Sequence, residues 1–168
     1  MVKKLIAVIL FLLVPLSFAV AAEQAYPLPN PKDIKARPPF SKGLFPCSQC
    51  HQGMPANWKR RKLTMMHQDI VLNHMPGGWC FDCHNPDNRD KLKLFTGESV
   101  SFDQSYLVCG QCHGFIFKEW KAGLHGKRTG MWNGEKKYYQ CINCHWPHDP
   151  KFKSIKPFPA PLRPSDIK

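Results

Sequence analysis

Beyond residue 22 the chain has no long apolar run and few aliphatic residues. Acids are half as frequent as bases, with 12 Asp and Glu against 24 Lys and Arg in 168 residues. Much of the 43% hydrophobic content lies in one stretch, Leu5 to Ala22. A chain this short buries its surface inefficiently, so some other group has to supply much of the interior. That excludes an ordinary enzyme built around a large aliphatic core. With 16 Pro and 11 Gly the composition is loop-rich, yet below that of a disordered chain. No Cys occurs between the apolar run and Cys47, which argues against lipoprotein processing.

The N-terminus sets the compartment. Met1-Val2-Lys3-Lys4 is a short basic head before the apolar run, and Ala19-Val20-Ala21 and Val20-Ala21-Ala22 offer small residues just ahead of Glu23. This is the pattern of a secretory signal peptide over residues 1–22. The competing reading is an uncleaved anchor, since about 18 apolar residues can just span a bilayer. Pro15, Ser17 and the small-residue site favour cleavage. Removing residues 1–22 takes away Lys3 and Lys4, so the charge falls from +12 to +10. The expected location is the periplasm, with membrane-associated or extracellular placement as variants.

The cysteines come only in pairs of one spacing: Cys47-Ser-Gln-Cys50-His51, Cys80-Phe-Asp-Cys83-His84, Cys109-Gly-Gln-Cys112-His113 and Cys141-Ile-Asn-Cys144-His145. Eight Cys in an exported chain would ordinarily suggest disulfides. A disulfide framework, however, gives no reason for a His after every second Cys. Thioredoxin-like pairs fail on the same point, and no βαβ pattern surrounds them. Cys₄ zinc ribbons explain the paired spacing but not the histidines. C-x-x-C-H is the attachment sequence for c-type haem. Two thiols one turn apart reach the two vinyl groups of one porphyrin, and the adjacent His lies beneath it with a ring nitrogen aimed at the iron. Four motifs imply four covalently attached haem c groups. Their thioether ligands are Cys47, Cys50, Cys80, Cys83, Cys109, Cys112, Cys141 and Cys144, and their proximal iron ligands are His51, His84, His113 and His145. The motifs start at 47, 80, 109 and 141, a loose repeat of about 31 residues, and short repeats usually stack in a row.

Four further histidines, His67, His74, His125 and His148, match four empty sixth positions. Residues 56–75 carry Trp58, Met65, Met66, Ile70 and His74 at helical spacing, ended by Pro76-Gly77-Gly78. That helix would put His67 and His74 on one face, about 10.5 Å apart along the axis, suited to two haems rather than one iron. Residues 115–124 read as a second short helix delivering His125 just before Gly126, an expected C-terminal stop. His148 follows His145 across Trp146-Pro147. The stiff link disfavours folding back onto the same iron, so His148 would serve another haem. Met54, Met65, Met66, Met75 and Met131 are competing ligands that would raise a potential. Met65 and Met66 read as helix packing residues, and the supply of His makes Met ligation unnecessary.

With four C-x-x-C-H motifs and four additional His, the chain resembles the tetrahaem cytochromes c, the multihaem bis-histidine group that includes class III cytochromes c. The Cys144-His145-Trp146-Pro147-His148 segment is also similar to C-H-x-P-H segments of multihaem cytochromes, where the second His ligates a neighbouring haem. The resemblance covers residues 47–148. It implies a haem-cored fold, mostly irregular and α with few short helices and a minor β-hairpin.

The remaining segments say less. Residues 91–102 alternate around Gly97 and read as a β-hairpin, and Trp132-Asn133-Gly134-Glu135 as a second tight turn. Each either packs over a haem edge or contacts a partner. Residues 23–46 hold six prolines and residues 150–168 five, favouring extended conformations. Such ends either strap over the chain itself or dock onto another subunit. The basic clusters Lys59-Arg60-Arg61-Lys62, Lys136-Lys137 and Lys151/Lys153/Lys156 read first as solvated faces. Haem propionates would neutralise part of the excess, and the rest could steer an acidic redox partner or an anionic membrane surface. Export removes nucleic acid as a partner.

The expected organisation is a signal peptide (1–22), a Pro-rich segment (23–46), a tetrahaem cytochrome c domain (47–148) and a Pro-rich basic tail (149–168). The expected function is electron transfer outside the cytoplasmic membrane, as a periplasmic carrier or a subunit of a respiratory complex, with no catalytic residues of its own. Expected partners are redox proteins, a membrane quinol-oxidising complex among them. Membrane association would come through those partners or an uncleaved N-terminus. The alternatives are a homo-oligomeric cytochrome filament, in which a His from one copy ligates a haem in the next, and a multihaem reductase, which needs a five-coordinate iron.

Overall fold

The computed structural model describes residues 26–154 and 156–167; the signal-peptide segment lies outside them. The described residues form few short helices and two small antiparallel sheets in an otherwise irregular path. Helix α1 (Ser48–His51) is one turn, α2 (Ser105–Cys112) and α3 (Gly114–Ala122) are longer, and 3₁₀ turns lie at Cys80–Asp82 and Cys141–Asn143. Strands β1 (Leu92–Lys93) and β2 (Ser99–Val100) pair in one hairpin, and β3 (Arg128–Gly130) and β4 (Lys136–Tyr138) in the other. Among the described residues no helix is long and apolar enough to cross a membrane.

The apolar core is as small as the composition requires. Leu92, Val100, Tyr106 and Trp120 are its buried hydrophobic members. The accessible surface is 14651 Å², whereas a compact chain of 19.3 kDa would expose about 8,500 Å². Trp120 is the centre of what packing there is. Its ring lies 5.2 Å from Tyr106 of α2, 5.6 Å from Phe117 one turn back and 6.1 Å from Tyr138 of β4. Its indole N–H donates to the Tyr139 carbonyl at 2.8 Å. Gly110 lets the two helices approach, because a Cβ there would come within 2.7 Å of the Phe117 ring.

The expected hairpin forms, and the expected tight turn at residues 132–135 closes a second one. The first also pairs with an attachment segment: Lys93 N–H donates to the Cys83 carbonyl at 2.9 Å, and Asn85 N–H to the Lys91 carbonyl at 3.1 Å. It therefore packs against its own chain. The helix expected at 115–124 is α3, but it stops at Gly123, which takes the left-handed conformation (φ +85°), rather than at Gly126.

The helix expected over 56–75 does not form. Ile70 N–H to the His67 carbonyl, 3.0 Å, is the backbone hydrogen bond found inside the segment. His67 sits at φ +62°, a left-handed conformation incompatible with a continuing right-handed helix. Met65 and Met66 are exposed, and Trp58, itself half-exposed, packs against Phe81 at 5.1 Å rather than along a helix face. The physical reason lies in the destinations of the two histidines, which go to different parts of the molecule as described below. Tertiary contacts of that kind override local periodicity.

The Pro-rich ends behave differently. The first lies along the chain's own C-terminal half. Lys35 N–H donates to the Tyr138 carbonyl at 2.8 Å, Gln140 Nε2 to the Lys35 carbonyl at 2.7 Å and Asn143 Nδ2 to the Ala36 carbonyl at 3.1 Å. The second touches the chain only at its start, where the Pro150 carbonyl and the Phe152 ring lie against His145, and is exposed beyond, with Phe158 and Leu162 in solvent.

Candidate metal centres

Each C-x-x-C-H motif closes the same local turn. The His N–H donates to the carbonyl of the first Cys at 3.0 Å for His51 and Cys47, 2.8 Å for His84 and Cys80, 3.0 Å for His113 and Cys109, and 2.8 Å for His145 and Cys141. One helical turn thus presents two thiols and an imidazole together in all four repeats, whether the turn is isolated or part of α2. All eight cysteines are free thiols. The turns are anchored by neighbouring side chains. Asp90 accepts from Ser48 N–H at 3.0 Å, Asp82 from Trp79 N–H, and Asn143 from Gln140 N–H at 2.7 Å.

Every motif histidine faces one of the other four. The ring centroids are 6.1 Å apart for His51 and His67, 6.2 Å for His84 and His148, 5.7 Å for His113 and His74, and 6.3 Å for His145 and His125. The paired planes are within 7° to 14° of parallel. In the third pair the two Nε2 atoms point at each other, 3.4 Å apart. Two imidazoles sharing one metal, with bonds of about 2.0–2.1 Å each, would have nitrogens about 4 Å apart and centroids about 6 Å apart. A single such pair could be an ordinary histidine contact. Four with one geometry, each joining a motif His to a different non-motif His, have a common cause. Among the described residues no three or more His, Cys, Asp or Glu side chains converge as a metal cage would need; the histidines meet in twos.

The protonation chemistry suits metal binding, which requires neutral imidazole. Burial, then the neighbouring His148, His67 and Arg89, push His84 down to about 4. Burial also lowers His148 and His51. His74 Nδ1 lies 3.2 Å from the Pro147 carbonyl and His145 Nδ1 2.8 Å from that of Pro150. A carbonyl only accepts, so Nδ1 carries the proton in both, which leaves Nε2 to face the opposite ring. Carbonyl partners of this kind fix ligand tautomers in metal sites.

The pairs are close to one another. Cys109 donates a thiol hydrogen bond to Cys141, which raises the first and lowers the second and joins the third motif to the fourth. Residues 144–148 touch three pairs. His145 belongs to the fourth, the Pro147 carbonyl accepts from His74 of the third, and His148 belongs to the second. Its carbonyl accepts from Asn73 N–H at 3.0 Å. His67 and His74, expected on one helix face, thus serve the first and third pairs. An open cleft of about 530 Å³ adjoins the first, lined by His51, Met54, Pro86, Asp87 and Arg89 among others.

Sequence reasoning missed the supporting residues. Gln140, fully buried, links the N-terminal strap to Ser105 and to the fourth motif. Its place directly before Cys141 was the one available signal. Asn85 caps the turn after the second motif, accepting from Asp87 and Asn88 N–H at 2.8 and 2.9 Å. Compared with family models, with curated proteins and with solved structures, the chain matches none.

Proposed function

We propose that this chain is an electron carrier holding four c-type haems, each attached through one Cys pair and ligated by one histidine pair. The observation that carries the reading is the four-fold pairing of motif and non-motif histidines at about 6 Å. The ligand sets are His51 with His67, His84 with His148, His113 with His74, and His145 with His125. When bound, haem iron supplies the one-electron redox step.

The chain's own residues do the rest. The helical turns present thiols and imidazole together, the Pro147 and Pro150 carbonyls hold two histidines with Nε2 forward, and burial keeps His84 and His148 neutral. Histidines on both sides of each centre leave no position for a substrate, which favours carriage over catalysis and speaks against the reductase alternative. Because all eight histidines pair within one chain, the carrier reading needs no ligand from a second copy, as the filament alternative would. Bis-histidine ligation implies lower potentials than His/Met ligation.

Four covalent haems also place the work outside the cytoplasmic membrane, as a periplasmic carrier or a subunit of a respiratory complex with redox protein partners. A haem-stained denaturing gel of soluble, membrane and extracellular fractions tests this, since only covalent haem survives it. Stain in the soluble periplasm means a diffusing carrier, and stain retained with membranes means a subunit. An unstained band at this mass removes the proposal.

A further inference from the structure

Within the exposed basic run Lys59-Arg60-Arg61-Lys62, Arg60 is nonetheless tied to the chain by its guanidinium. Its Nη1 donates to the Gly78 carbonyl at 2.7 Å and its Nη2 to the Leu72 carbonyl at 3.4 Å. These two carbonyls bracket His74. The intervening loop has neither helix nor strand. It turns at Gly77 (φ +82°), and Gly78 N–H bonds back to the Met75 carbonyl at 2.9 Å. Gly78 is packed so closely that a Cβ would come within 2.7 Å of Met75 Cβ. Such a loop has no internal ladder to fix its histidine. Arg60 draws the two ends together, while the Pro147 and His148 carbonyls hold the His74 ring and the Asn73 backbone from the other side.

We infer that Arg60 is a positioning residue for the third site: it closes the 72–78 loop so that His74 faces His113. The inference rests on the haem reading above. The planar fork of arginine makes two divergent bonds that the single ammonium of lysine does not reproduce. The next residue differs in kind. Arg61 bonds the Lys59 carbonyl at 3.1 Å and lies 5.4 Å from the Trp79 ring, so it does not bracket the loop.

The test compares purified wild type, R60Q, R60K, R61Q and H74A for haems per chain by intact mass, for spin state in the oxidised protein, and for carbon monoxide binding when reduced. R60Q is expected to keep four haems while one of them loses low-spin character in part and binds carbon monoxide. R60K should show the same loss, and R61Q the wild-type spectrum. The double variant R60Q/H74A should be no more high-spin than H74A alone, because both changes act on one centre. A wild-type spectrum in R60Q and R60K, or a loss spread evenly over all centres, overturns the inference. If R60Q does not accumulate, R60K decides it by the same criterion. A wild type lacking four haems would instead sink the haem reading and this inference with it, so the two failures are told apart.

Discussion

His84 and His148, sixty-four residues apart in sequence, face each other with ring centroids 6.2 Å apart and planes 14° from parallel. His148 reaches that position because Pro147 carries the chain away from His145, three residues earlier, which pairs instead with His125. Replacing His148 with Ala should therefore affect the second centre and leave the fourth intact. The expected result is four haems retained per chain, with one converted from low-spin to high-spin. A low-spin spectrum unchanged from wild type would remove His148 from the ligand set.

Gln140 is fully buried and spans two elements, donating to the Lys35 carbonyl and accepting from the Ser105 hydroxyl. Gln140→Leu would leave the buried Ser105 hydroxyl and the part-buried Lys35 carbonyl without partners, at a cost of about 1–3 kcal/mol. In a chain of this size that lowers Tm by about 2–4 °C per kcal/mol. It should also free the N-terminal strap, so limited proteolysis is expected to cut near Lys35 faster than in wild type. Equal cleavage rates would mean that the strap is held by other contacts.

Trp120 joins α2, α3 and β4 in the small apolar core. Trp120→Ala is expected to cost about 3–5 kcal/mol, a large part of the stability of a domain this size. Trp120→Phe should keep most of the ring packing and lose the bond to the Tyr139 carbonyl, a change of about 1 kcal/mol. Thermal unfolding of the two variants side by side checks the order.

Burial, with neighbouring cations and histidines, holds His84, His148 and His51 below their ordinary value of 6.5. The unfolded chain then binds more protons than the folded one between about pH 4 and 6.5. Stability should accordingly rise with pH across that window and level off above it. The proposed iron ligation would act in the same direction, because it also needs neutral imidazole. Asp90, lowered by its hydrogen bonds to Ser48, adds a further loss at the acid end. Melting curves at pH 5 and pH 7 test this, with the lower Tm expected at pH 5; a higher Tm at pH 5 would contradict it.

The motifs made the eight cysteines and four of the histidines readable as one chemical system, and simple counting singled out the other four. Both hairpins were legible because Gly97 and Asn133-Gly134 are local turn signals, and α3 from apolar residues at helical spacing, although of these Trp120 alone is buried. Residues 56–75 were misread for a physical reason. Their helical spacing is real, but His67 and His74 are drawn to separate pairs, and His67 takes a left-handed backbone that ends any helix. The partnering of histidines depends on contacts across tens of residues, to which no local pattern points. The same holds for the two Pro-rich ends, alike in composition yet one docked through Gln140 and Asn143 and the other exposed beyond Phe152.

The central claim is that four irons each sit between one motif histidine and one other. The direct measurement is a haem count per chain on protein matured in an exporting host, read together with the spin state of the oxidised form. The account requires four haems, all six-coordinate and low-spin, none binding carbon monoxide on reduction. Fewer than four haems, or a high-spin centre in the unaltered protein, would contradict it.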